Sequence, residues 1–212
     1  MRVAVFGATG RIGGQVLDWA LSDGHQVVAL TRSQANISPR ERLAVAAGDL
    51  RDARAVHKVI VGVDAVIAAV GPRTNSSEDE ASLETGMRNI VAAMDAAGVR
   101  RLIALSGAAV EVPGDRKPLV DRLASGLVRR LARHIVAAKQ REYAVFAASN
   151  LEWTALRPPL VTDGAPKGYR LDLQLRPGAR VTRADVAQAL VGQLLDRRFV
   201  RAAPFVLPAR RS

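Results

Sequence analysis

The sequence predicts an α/β protein built on a doubly wound parallel sheet. Three observations carry that expectation. Short apolar runs alternate with stretches of helical periodicity through the first half of the chain. The connections between them are short, as in right-handed βαβ units. The run AVIAAV at 65–70 is apolar throughout, as expected of a strand covered on both faces.

Taken in order, RVAVF at 2–6 is apolar, β-branched and followed by glycine, so it reads as a buried strand. Residues 12–21 place Ile12, Val16, Trp19 and Ala20 at helical spacing. Gly24 and His25 make the turn into a second strand at 26–30, and 43–47 forms a weaker third. Asp52 is an expected N-cap for a helix at 53–61. After the fourth strand at 65–70 the polar, acidic stretch 72–80 reads as a loop, 82–97 as a helix stopped by Gly98, and 101–105 as a fifth strand. The later part is less regular. Residues 118–149 have a helical pattern with a break expected near Ser125 and Gly126, and 153–156 is a strand ended by Pro158 and Pro159. Residues 164–178 are rich in loop formers with a short strand expected at 169–173. An amphipathic helix is expected at 183–197, with Asp185 favouring its positive end, and a closing strand at 205–207. The tail 210–212 is expected to be mobile. No repeat or linker interrupts the chain, so residues 1–212 read as one domain with a small irregular C-terminal substrate region.

Composition narrows the function. At 212 residues and 49% hydrophobic, the chain has material for one sizeable core. It has no cysteine, which excludes disulfides, thiolate catalysis and thiolate metal sites, and His25, His57 and His134 lack ligand spacing, so no metal site is expected. No apolar run approaches the roughly 20 residues of a membrane span, and the N-terminus does not read as a signal peptide. The expectation is a cytoplasmic protein without a membrane partner. The net charge is +11, but arginine outnumbers lysine 27 to 4 and the arginines are spread along the chain. With aromatics at only 4%, no nucleic-acid partner is expected.

The segment Gly7-Ala8-Thr9-Gly10-Arg11-Ile12-Gly13 joins the first strand to the first helix. Gly7 permits the sharp turn, Gly10 lets backbone approach a pyrophosphate, and Gly13 lets the helix pack close to the sheet. The helix N-terminus offers free N–H groups to an anion, and Arg11 beside it is unfavourable unless an anion is present. This is the phosphate loop of a Rossmann-type, dinucleotide-binding domain. The second strand ends Leu30-Thr31-Arg32-Ser33, without the acid that would take ribose hydroxyls. Arg32 can instead fork onto a 2′-phosphate, with Thr31 or Ser33 adding hydroxyls, so the expected cofactor is NADP. Asp49, in Gly48-Asp49-Leu50, reads either as an acceptor for the adenine amino group or as a turn aspartate.

These residues resemble a known group. The GATGxxG loop, Gly48-Asp49-Leu50, the run Gly71-Pro72-Arg73-Thr74-Asn75 and the run from Gly86 through Met94 are similar to atypical short-chain dehydrogenases of the flavin reductase/biliverdin-IXβ reductase type. The likeness continues through Ser106, His134, Ile135, Lys139, Pro158 and Pro159. It implies that Thr9, Ile12, Leu50, Gly71 and Arg73 lie beside the cofactor and that Ser106 sits near the nicotinamide as the candidate catalytic group. It also implies that Pro158, Pro159 and Leu160 pass over the nicotinamide. Lys139 reads first as a solvated helix lysine, with ribose contact the minority reading. Redox-sensing regulators of the NmrA type share the glycine loop, which leaves a non-catalytic NADP(H) sensor as the alternative.

Two departures from that group set the chemistry. The Tyr-x-x-x-Lys pair is absent, since Ile135 stands four residues before Lys139, and Leu160 stands where the biliverdin reductases carry histidine. A ketone reduction needs a proton donor in the transition state, whereas a conjugated ring delocalises the charge that hydride brings. The expectation is therefore an NADPH-dependent reductase of a flavin, tetrapyrrole or quinone, acting as a monomer or small homo-oligomer.

Overall fold

The computed structural model describes residues 1–33, 37–72, 74–115, 132–176 and 178–209. Arg73, the first part of the expected 118–149 helix with its break, and the tail 210–212 lie outside the described residues.

Six parallel strands form the central sheet: β1 (Arg2–Phe6), β2 (Gln26–Thr31), β3 (Leu43–Ala47), β4 (Ala65–Ala68), β5 (Arg101–Leu105) and β6 (Glu152–Leu156), in the order β3-β2-β1-β4-β5-β6. The order reverses between β1 and β4, which opens a crevice at the carboxyl ends of those two strands. Side chains alternate across the sheet. Ala4 and Phe6 enter one core with Val66 and Ala68, while Val3 and Val5 enter the other with Ala65 and Ile67.

Helices α2 (Ala53–Ile60), α3 (Ser77–Ala96) and α4 (Arg133–Ala147) cover the first face with Val56, Ile60, Met87, Ile90, Met94, Tyr143 and Phe146. Helix α1 (Arg11–Ser22) and helix α5 (Arg183–Gly192) cover the second with Val16, Leu17, Val186 and Leu190. Among the described residues, no helix is long and apolar enough to cross a membrane.

Helix α3 begins earlier than its pattern suggests, because Ser76 caps Asp79 N at 3.2 Å and Glu78, Asp79 and Glu80 favour the positive helix end. The acidic stretch read as loop is thus partly the helix's first turn. Strand β4 stops at Ala68, two residues short of the expected end, where the chain turns into the crevice. Helix α5 ends at residue 192 and is buried on nearly all sides, so the amphipathic reading fails. It is started by a capping box in which Thr182 and Asp185 bond each other's backbone N–H groups. Its C-terminal end is held by the buried Arg101, which donates to Gln193 O at 2.6 Å and Asp196 O at 3.2 Å. Burial lowers that guanidinium to about 10.

Two small ladders complete the fold. The three-residue strands β7 (Leu160–Thr162) and β9 (Arg180–Thr182) pair in parallel, with Leu160 opposite Arg180. Strand β8 (Tyr169–Asp172) pairs antiparallel with β10 (Phe205–Pro208).

Candidate functional site

The crevice between β1 and β4 is floored by glycines that have no room for a side chain. Gly7 has φ +85°, and a Cβ there would lie 2.5 Å from Ala69 O. A Cβ on Gly13 would lie 1.9 Å from Gly7 O, so the first turn of α1 rests directly on the loop. Gly10 N donates to Gly7 O at 2.9 Å, and Gly10 stands at the N-cap position with no side-chain cap. The first turn of α1 carries no acid, so its N–H groups remain available to an anion. Arg11 is exposed on that turn, Ile12 is half-buried and Gly13 is buried.

A groove of about 550 Å³ runs over this loop. Gly7, Thr9 and Gly10 line it at one side, Arg32, Asp49 and Leu50 at another, and Gly71 at a third. Arg32 is exposed and makes no hydrogen bond among the described residues. The neighbouring Arg51 is already committed, donating to both oxygens of Asp49 at 2.9 and 3.1 Å. That fork holds the Asp49 carboxyl below the usual carboxylate range. Thr31 is buried, and its hydroxyl donates to Ser33 O within the turn. The Leu50 segment is held from α3: Asn89 donates to Leu50 O at 3.0 Å, and a Cβ on Gly86 would lie 2.3 Å from Leu50 Cδ2. Two residues of the run from Gly86 to Met94 thereby shape the groove without lining it.

A second cavity of about 490 Å³ opens past the carboxyl ends of β5 and β6. Ala108, Val110, Ile135, Pro158, Pro159, Leu160 and Leu175 form its walls, with Lys139, Arg176 and Arg180 also lining it. Among its described lining residues there is no carboxylate, hydroxyl or imidazole. Pro158 and Leu160 therefore belong to this cavity, and Leu160 is 51% exposed.

Lys139 stands at the junction of the two spaces. Its Nζ donates to Val70 O at 2.7 Å, Leu105 O at 2.7 Å and Glu142 Oε2 at 2.6 Å. Val70 lines the groove and Lys139 lines the cavity, so this hydrogen bond joins one wall residue of each. The ammonium has three donors, and all three are engaged. The reading of Lys139 as a solvated helix lysine is corrected, since its side chain is 11% exposed. Ribose contact would require it to give up one of these bonds. Glu142 is fully enclosed and its Oε1 has no partner. Burial pushes its carboxyl up, and Lys139 pulls it back.

Ser106 follows β5. It is 8% exposed, its N–H donates to Leu156 O at 2.8 Å, and its Oγ is buried without a partner. His134 is tied to Glu80 at 3.0 Å, and Arg141 reaches Glu80 and Glu84, so His134 serves the packing of α3 on α4.

Sequence reading missed Arg157. It is 1% exposed and clamps Asp115 with two bonds of 2.6 and 2.7 Å. It also donates to Val110 O and Ala203 O and stacks 4.0 Å over the Phe205 ring. The clamp fixes the 107–115 loop that walls the cavity. Its only sequence signal is a charged residue ending the apolar strand before Pro158.

The open helix end, the glycine floor that a Cβ would fill and the partnerless Ser106 Oγ fit a dinucleotide lying from the groove toward the cavity. The comparisons agree on the fold. ChuY, an anaerobillin reductase from Escherichia coli O157:H7, superposes with a TM-score of 0.81 at 20% identity, covering 100% of this chain and 99% of that one. A wide-type short-chain dehydrogenase/reductase from Veillonella parvula, solved in complex with NADP, gives 0.80 at 21%, covering 97% and 93%. Among curated proteins, an uncharacterized protein of Mycobacterium tuberculosis is 34% identical over 103 residues, 49% of this chain but only 12% of its own length. The chain thus spans a small part of that relative. Residues 7–197, from the first glycine of the loop to beyond α5, match the family described as NAD(P)H-binding, and the chain belongs to that family.

Proposed function

We propose that the chain is an NADPH-dependent reductase that delivers hydride to a flat conjugated acceptor such as a flavin, linear tetrapyrrole or quinone. The observation that carries the reading is the second cavity: apolar walls, no side-chain acid among its described residues, and a wall residue, Lys139, bonded to Val70 of the nucleotide groove. An acceptor that needed a proton in the transition state would meet no carboxylic acid, phenol or imidazole among the described lining residues, and the three protons of Lys139 are engaged.

The reduced nicotinamide supplies the hydride, and the protein supplies position. Gly7, Thr9, Gly10 and the open end of α1, with Arg11, Ile12 and Gly13 in its first turn, hold the pyrophosphate. Arg32 takes the 2′-phosphate, and Asp49 and Leu50 border the adenine. Gly71 borders the nicotinamide half. Ser106 Oγ orients the nicotinamide amide or the acceptor, which gives its buried oxygen a partner. Pro158 and Leu160 cover the acceptor side and exclude water. Lys139 holds the ends of β4 and β5 together beneath it, rather than a ribose. The Escherichia coli anaerobillin reductase shares the fold, which supports a reductase and leaves the acceptor open.

The test is steady-state NADPH oxidation with FMN, FAD, biliverdin and quinones. Turnover is expected with at least one of them. Ser106→Ala is expected to slow it by less than the roughly 10²–10⁴-fold that loss of a general acid would cost. Gly10→Val is expected to abolish it, because the side chain would occupy the space over the loop. NADP⁺ binding without any turnover would favour a sensor.

A further inference from the structure

We infer that the second cavity selects acceptors that carry an anionic group, carboxylate or phosphate, on the edge of the flat ring, and that Arg176 and Arg180 read that group. The inference rests on the reductase reading above and narrows its substrate class.

Three cations and no acid line the cavity among its described residues. One of the three, Lys139, is neutralised by Glu142 and has its donors engaged. The other two are exposed and form no ion pair among the described residues. Arg176 acts on the Asp172 carboxylate through space only, since that carboxylate is bonded by Arg170 at 2.5 Å and by Gln174 N at 3.0 Å.

The two arginines are placed by the fold. Arg180 opens β9 directly opposite Leu160 in β7, so a guanidinium stands beside the exposed apolar residue of the wall. Arg176 follows Leu175, which is 7% exposed and packed with Phe205 and Leu207, so the main chain at Arg176 is anchored in a small core. A ring between Ile135, Pro159 and Leu160 therefore has cations at its edge and nothing to repel a negative group. Arginine's planar fork suits both carboxylate and phosphate.

Matched acceptor pairs separate the anion from the redox ring. FMN against riboflavin tests phosphate, and biliverdin against its dimethyl ester tests carboxylate. The variants are Arg176→Met and Arg180→Met, which keep an apolar stem. At low ionic strength the charged member of at least one pair is expected to have a kcat/KM about tenfold above its neutral partner. Each variant is expected to remove most of that preference and to leave the neutral acceptor's rate and the KM for NADPH within about twofold. The preference is also expected to shrink as salt is raised to about 0.15 M, where the screening length falls to about 8 Å. Equal rates for both members of both pairs would overturn the inference and leave the reductase standing. Loss of neutral and charged acceptors alike in the variants would show that the arginines support the wall instead of reading an anion. No turnover with any acceptor would overturn the reductase reading, and this inference with it.

Discussion

Arg32 is the residue on which the proposed preference for NADPH rests. Two arginines border the far end of the groove, but Arg51 is locked onto Asp49, which leaves Arg32 with its guanidinium uncommitted among the described residues. Arg32→Ala is expected to weaken NADPH binding by about 1.5–3 kcal/mol, the scale of a hydrogen bond to a charged group, and to leave NADH almost unchanged. Titration of both cofactors against wild type and variant checks this, and equal wild-type affinities for NADPH and NADH would contradict it. The glycine loop was readable in the sequence because its spacing is local, Gly13 meeting Gly7 six residues away, although Gly7 also packs on the distant Ala69. Lys139 and Arg157 were not readable in the same way. Their partners are Val70, Leu105 and Asp115, and only the folded sheet brings these together.

At the scale of elements, the parallel strands were legible because each is a short apolar run, and all but the edge strand β3 are largely buried. The three-residue strands β7 and β9 were not, since pairing at that length leaves no periodicity to detect. Helix α5 misled for a related reason: α1 and the small ladders bury the face that its polar residues suggested would be wet. Helix α4 is joined to the sheet by the Lys139–Glu142 pair, which sits beneath the ends of β4 and β5. Lys139→Met leaves a buried carboxylate without its cation, and about 3–5 kcal/mol of stability is expected to be lost. Lys139→Met/Glu142→Leu is expected to lose less, because no charge is then stranded. The pH dependence has a definite sign. Burial raises the Glu142 carboxyl, so the folded protein holds that proton more tightly than the unfolded chain, and the group favours the fold at low pH. That contribution is lost as pH rises from the unfolded value through the raised folded one. Without Lys139 nothing opposes the shift, so the penalty in Lys139→Met is expected to be larger near about pH 8 than near about pH 5. Thermal unfolding at the two pH values measures it, and an equal penalty would show that Glu142 does not carry the effect.

For the whole molecule, the strand reversal between β1 and β4 creates the nucleotide groove, and segments of the second half of the chain build the cavity beside it. The first was evident from the alternation of strands and helices. The second was visible only as a loop-rich region, because its walls come from four separate segments. The proposed hydride transfer rests on their adjacency. The most direct test is an anaerobic single turnover of the protein with NADPH carrying deuterium at C4, prepared as each stereoisomer, and an excess of acceptor. The expected result is that acceptor reduction follows NADPH oxidation one for one and is slowed by one deuterated isomer and not the other. NADPH that binds but reduces no acceptor would contradict direct transfer across the border that Lys139 marks.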